Sequence, residues 1–329
     1  MNRKELEKTL CVSSLYHNDG QLPTIYLPNE IFEDISDNAS GNSKFVSSIY
    51  AFYFLITLLY RYAIYELNAK TLLMPTLKRI LGNGKDNRSI DPIIKKDGIL
   101  NLMGYTRHTS NYPIRYEFDR DSYDLDFVCI NDKIQYDDGT EEYHIPRHML
   151  SNYGKSIKIH YPIKAFERRH LLNGEECYLG TFFSLSNTHG VDLEMFLRCM
   201  SNKELGVEGF YLYGLIKSKS DFYDNYWNIP LKDLIWLSGM KATKFKAVLN
   251  TLREYQMILT DNMPWIVDRP SNVATKASGY KATTSEWFAY EKLPLPKHKK
   301  ISWKKCQEEY THAILGLDDL TGTDGSLPF

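Results

Sequence analysis

YWNIPLKDLIWLSGMKATKFKAVLNTLREYQMILTD, residues 226–261, reads as strand, helix, tight turn, helix, strand. Proline opens a helix at little cost because its missing N–H would have no partner in the first turn, and glycine closes one because it takes the left-handed conformation freely. Pro230 and Gly239 therefore bracket a helix over 231–238. Beyond the turn, Leu234, Met240, Phe245 and Val248 fall where two crossing helices need apolar contacts, and Leu252 extends that face at helical spacing. The opposite face of the second helix carries Lys241, Thr243, Lys244, Lys246, Asn250 and Arg253.

An apolar seam between two short helices, with a basic outer face on the second, is a helix-turn-helix pattern. Its outer side chains have the length and donors to reach phosphates and base edges in a major groove. Ile235 stands where such motifs favour a small residue, so a wider helix crossing is expected.

With 329 residues, 43% hydrophobic and 25% charged, the chain has the make-up of a globular protein with room for two or three domains. The formal net charge of -1 hides strong local fields. Over 70–115, nine cations (Lys70, Lys78, Arg79, Lys85, Arg88, Lys95, Lys96, Arg107, Arg115) face three acids (Asp86, Asp91, Asp97). Over 117–142 ten acids face only Arg120 and Lys133. The five cysteines, Cys11, Cys129, Cys177, Cys199 and Cys306, form no CxxC pair, which argues against a zinc site or a disulfide framework and for a cytoplasmic location. The N-terminus lacks an apolar signal region. The apolar run 46–59 is short for a bilayer span and is read as a buried helix, with no membrane partner expected.

The fold class expected is α+β, mainly α: two winged-helix (helix-turn-helix) domains joined by a mixed, partly acidic connector. The divisions are an N-terminal arm at 1–43, a first winged helix at 44–118, the connector at 119–191, a second winged helix at 192–268 and a C-terminal segment at 269–329. The arm is read with a strand at 24–27 and a helix at 29–35. In the first domain the order is helix 44–67, strand 72–75, helix 76–81, turn 82–86, helix 88–100, then a hairpin of strands 102–107 and 113–118 as the wing. MPTLKRILG at 74–82 parallels IPLKDLIWLSG at 229–239. Asn87, Arg88, Lys95 and Lys96 on the helix, with Arg107, His108 and Arg115 on the wing, are the expected DNA contacts of this domain. The second domain begins with helix 205–219 and closes with a small wing near 262–264.

Within the connector, Asp119, Asp121, Asp124 and Asp126 are candidates for a divalent-metal site, set against the use of acids to protect a strand edge. From 144 to 170, Arg147, Lys155, Lys158, Lys164, Arg168 and Arg169 interleave with Tyr153, His160, Tyr161 and Phe166, a composition that suits either a groove tracking a single strand or a solvated connector. After the second domain, Trp287, Phe288 and Tyr290 are expected to fasten an extended basic segment, and a short helix spans 303–315.

The chain ends GLDDLTGTDGSLPF. Asp318, Asp319 and Asp324 followed by Leu327, Pro328 and Phe329 resemble the C-terminal tip of bacterial single-stranded DNA-binding proteins, which recruits replication and repair enzymes. That resemblance implies a terminal ring for a pocket and a carboxylate for a basic residue. The paired helix-turn-helix arrangement resembles plasmid and phage replication initiators with tandem winged-helix domains. It implies an origin-binding protein with double-stranded DNA and host replication proteins as partners, homodimerisation, no cofactor and no catalysis. A transcriptional regulator with the same contacts is the alternative, and a metal-dependent DNA nuclease a further one. There is no GxxxxGK[ST] loop for nucleotide-driven unwinding. An interaction protein using the 44–67 helix as its interface is a fourth reading.

Overall fold

Asn2 and Asn42 each turn a side-chain oxygen onto the backbone N–H three residues on, at 2.9 Å, and each starts a helix. The first is α1 (Arg3–Thr9). Then come β1 (Thr24–Pro28), α2 (Ile31–Asn38) and α3 (Ser43–Arg61), the helix capped by Asn42. The structure, a computed structural model, describes residues 1–16, 20–65, 72–118, 125–144, 157–172, 174–222, 225–270, 276–297 and 300–309. Among the described residues the fold is mixed α/β, with strands interspersed among the helices along the chain, so the coarser class holds without "mainly α".

The first half departs from its expected order in three places. Residues 72–75 are not a strand: α4 (Met74–Ile80) takes in Pro75 at its first turn. The expected 88–100 helix is two single turns, α5 (Asp91–Ile94) and α6 (Ile99–Leu102). Gly98 lies between them, where a Cβ would come within 2.6–2.8 Å of the carbonyl oxygens of Pro92, Ile93 and Lys95. A backbone folded that tightly on itself cannot continue a helix. Third, the hairpin does not form. β2 (Thr106–Thr109) pairs antiparallel with β7 (Ile159–Pro162), whereas β3 (Pro113–Phe118) pairs with β4 (Leu125–Cys129). Between them, β5 (Lys133–Gln135) and β6 (Glu141–Tyr143) make a separate exposed hairpin. After β7 follow α7 (Ile163–Phe166), the pair β8 (Arg168–Leu172) and β9 (Glu175–Leu179), and β10 (Thr188–Asp192). β10 returns to pair antiparallel with β1, Thr24 opposite Asp192.

The second half keeps the expected order from 206 to 261, and a helix at 193–201 and a strand at 279–282 add to it. α8 (Leu193–Ser201) leads to α9 (Gly206–Phe222), β11 (Trp227–Asn228), α10 (Leu231–Ser238), α11 (Ala242–Glu254) and β12 (Ile258–Asp261). β13 (Trp265–Val267) and β14 (Gly279–Ala282) follow, then β15 (Lys300–Ser302) and α12 (Trp303–Glu309). One continuous cluster of buried side chains runs from Leu6 to Phe288, with α3 packed on α9 at its centre. α3 is buried on nearly every side, so the one described helix apolar and long enough to cross a membrane is a core helix here.

The α3–α9 contact is close because Gly214 has no side chain: a Cβ there would lie 2.7 Å from Tyr50 Cε1 and nearer still to its hydroxyl. That hydroxyl donates to His189 Nε2 at 2.8 Å, and His189 Nδ1–H donates to Asn29 Oδ1 at 2.9 Å. A buried polar chain is thereby satisfied end to end, tying α3 to β10 and to the turn after β1.

Candidate nucleic-acid interface

Helices α10 and α11 cross over the seam read in the sequence: Leu234, Met240, Phe245, Val248 and Leu252 are all buried. Gly239 ends α10 in the left-handed conformation at φ +64, where a side chain would be strained. Ser238, buried beside it, accepts the Met240 N–H at 3.2 Å and fixes the turn. Ile235 is partly buried against the core, which accommodates it without a small residue.

The outer face of α11 divides. Lys241, Thr243, Lys246 and Asn250 are exposed, and among the described residues neither Lys241 nor Lys246 has a carboxylate within ion-pair distance. Lys244 is turned back to α9, its Nζ 2.6 Å from Glu208 Oε2, so part of its charge is neutralised inside the molecule. Arg253 is half-buried; burial lowers its pKa, and a guanidinium N–H reaches Asn250 Oδ1 at 3.4 Å. Trp236 on α10, 77% exposed, was not singled out in the sequence and lies on the same helix pair.

Behind the helices lies a three-stranded sheet in the order β11-β14-β12, antiparallel throughout. The segment joining its last two strands is residues 262–278, longer than the expected 262–264. It contains β13, which pairs parallel with β15, Ile266 beside Ile301.

The candidate residues of the first half do not assemble into one recognition face. Arg88 and Lys96 are exposed, but Lys95 Nζ lies 3.3 Å from Asp91 Oδ2, and Asp91 also pairs with the buried Lys78 at 2.5 Å. Those two cations hold the Asp91 carboxyl below its ordinary range. Asn87 bonds locally, to Asn83 and to the Ser89 N–H. Arg107 lies over the Tyr161 ring at 4.5 Å. His108 packs against His160, its cross-strand neighbour, at 4.1 Å between ring centroids. Arg115 is on β3, in a different sheet, within 3.3 Å of His144 Nδ1. His160 Nε2–H donates to Ile94 O at 2.8 Å, and burial pushes its pKa down to about 4.

In the basic run at 144–170, Lys158 and Arg169 are exposed, whereas Arg168 and Lys164 are spent inside the fold. Arg168 is buried, 3.0 Å from Glu30 and donating to the carbonyls of Lys164, Ser186 and Asn187. Lys164 pairs with Asp34 at 2.8 Å and sits over the Tyr105 ring. Arg147, Tyr153 and Lys155 lie outside the described residues, as do Asp119, Asp121 and Asp124. Among the described residues no group of three His, Cys, Asp or Glu side chains is placed to hold a metal ion. Asp318, Asp319, Asp324, Leu327, Pro328 and Phe329 also lie outside them. Of the three aromatic fasteners only Phe288 is buried; Trp287 is exposed, and Tyr290 stacks on Arg198 from the solvent side.

A groove of about 1180 Å³ is lined by Tyr16, residues 20–24, α8 and residues 284–290. In it Arg3 grips Glu194 with two guanidinium N–H groups at 2.5 and 2.9 Å, and Arg198 lies 3.7 Å from the same carboxylate. Compared with known protein families, curated proteins and solved structures, the chain has no match.

Proposed function

We propose that this chain is a sequence-specific double-stranded DNA-binding protein, an initiator of replication of a plasmid, phage or other mobile element. The observation that carries the reading is the connectivity of residues 206–282: helix, strand, helix, turn, helix, strand, long connection, strand, with strand order β11-β14-β12. That order supports a winged-helix reading, in which α11 is the recognition helix and the segment between β12 and β14 the wing. Lys241, Thr243, Lys246 and Asn250 supply both phosphate and base-edge chemistry on the exposed side of α11.

In this reading the work is assembly. The protein docks on repeats, and the acidic tail ending in Phe329 engages host replication proteins. No bond is broken, so neither metal nor cofactor is required. The test is to incubate the purified protein with fragmented DNA from its source, including any plasmid or phage it travels with, and to sequence what is retained. Clustered repeats beside its own gene support an initiator. A single inverted repeat over a promoter makes it a regulator, and no enrichment above background removes DNA recognition altogether. If contacts on the order of six phosphates are made, affinity falls about a thousandfold between 50 and 200 mM salt.

A further inference from the structure

Residues 300–309 lie far from the helix-turn-helix in sequence, yet they are seated on the segment that follows it. β15 runs parallel to β13 with Trp265 opposite Lys300, Ile266 opposite Ile301 and Val267 opposite Ser302. Alternation along β15 puts Ile301 inward, while Lys300 and Ser302 face solvent. Ile301 and Cys306 are buried together, with Met263, Ile266 and Trp303 packed on them, in a satellite core separate from the main one. Two of those five residues come from α12 and two from the wing, so neither segment completes the cluster alone. Lys305 N–H caps back to Ser302 Oγ at 3.3 Å, fixing the strand-to-helix turn.

The outer surface of this layer is basic. Lys297, Lys300 and Lys304 are exposed. Among the described residues none of the three has a carboxylate within ion-pair distance. Their spacing follows the fold: Lys300 projects from the strand, Lys304 from the first turn of α12, and Lys297 from the approach. Such a surface on a wing is the right chemistry for sequence-independent contact with phosphates flanking a major groove.

We propose that the wing is composite, with the C-terminal layer β15–α12 supplying phosphate contacts through Lys297, Lys300 and Lys304 to the DNA backbone beside the site read by α11. This rests on the reading of residues 206–282 as a DNA-binding winged helix. It adds a second surface to that reading, one that the helix-turn-helix alone does not contain.

The test uses the full chain and a labelled mixed-sequence duplex of about three helical turns, titrated across a salt series, because each phosphate contact contributes about 0.9 to the slope of log affinity against log salt. Four variants are compared with the wild type: Lys297→Glu/Lys300→Glu/Lys304→Glu, Lys241→Glu/Lys246→Glu on α11, Lys4→Glu/Lys8→Glu on α1 as a control for net charge, and Ile301→Asp. The triple variant is expected to lose about two to three units of slope and at least tenfold in affinity at moderate salt, with the α1 control close to wild type. Ile301→Asp keeps every lysine but unseats the layer, and is expected to lose most of the same slope. Retention of the full slope by Ile301→Asp would show the lysines acting as a loose basic arm, overturning the composite wing. Wild-type slope in the triple variant, with binding abolished in the α11 variant, overturns the inference and leaves the DNA-binding reading standing. A salt-independent wild type, or one that binds no duplex, removes both. Unchanged thermal unfolding of the main transition confirms that each variant is folded.

Discussion

His189 is 1% exposed and its two ring nitrogens are both committed, one to Tyr50 and one to Asn29. Protonation would turn the Tyr50 bond around, Nε2–H now donating, and leave a cation in the core, and burial, with a smaller push from Lys217, holds the pKa down at about 3. The pKa is depressed relative to an unfolded value of about 6.5, so the unfolded chain takes up the proton first. The stabilisation is complete above about pH 6.5 and is lost as pH falls toward the folded value, at about 1.4 kcal/mol per pH unit. His160, pushed to about 4 by burial and by His108, acts in the same direction over the upper part of that range. Urea midpoints measured from pH 7 to pH 5, where most carboxylates stay charged, are expected to fall steadily. His189→Gln, which does not titrate, is expected to be less stable at pH 7 but to show a shallower fall. Gly214 belongs to the same cluster. Gly214→Ala forces the Tyr50 ring to move within a packed interface and is expected to cost about 1–3 kcal/mol, read as a shift in denaturant midpoint with little change in its slope.

Among the elements, α10 and α11 were legible in the sequence because everything that defines them is local. Pro230 and Gly239 set the bounds 231–238 that the structure reproduces for α10, and apolar residues at helical spacing mark α11. The central helix was legible for the same reason, although it ends at Arg61 instead of the expected 67, the chain turning at Ala63 with φ +48. The 102–118 hairpin was misread because strand pairing is non-local: β2 and β3 each have a polar turn between them, but their partners lie at 159–162 and 125–129. Lys95 read as an exposed DNA contact, yet Asp91 gathers it together with Lys78, whose burial nothing in spacing alone announces. The candidate face on α11 was legible as a helical stripe, except that Lys244 answers to Glu208, a residue 36 positions away. β15 went unnoticed because three residues carry too little alternation to signal a strand. The Lys78–Asp91 pair also gives a test at this scale, since it pins α4 to α5. Asp91→Ala strands Lys78 in a buried site and is expected to lower the melting temperature far more than Lys95→Ala, whose ammonium is exposed.

Taken over the whole molecule, the helices that lead each half, α3 and α9, are packed on one another instead of heading independent cores. Phe54 stands at this junction, stacked on Phe196 at 4.9 Å and edge-on to Phe210 at 5.0 Å, with no exposed surface. Aromatic pairs of this geometry add to the burial of their area, and a cavity left by removing one is only partly refilled. Because the cluster is continuous from Leu6 to Phe288, energy lost at Phe54 is felt by both halves at once. Phe54→Ala is therefore expected to cost about 3–5 kcal/mol. It is expected to move one calorimetric transition as a whole, with calorimetric and van't Hoff enthalpies remaining equal. Splitting into two transitions, with only the one containing residues 43–61 displaced, would show that the halves unfold independently despite the shared core. The satellite cluster of Ile301 and Cys306 lies outside that cooperative unit, so amides of 300–309 are expected to exchange well before those of α3 and α9 in the unaltered protein.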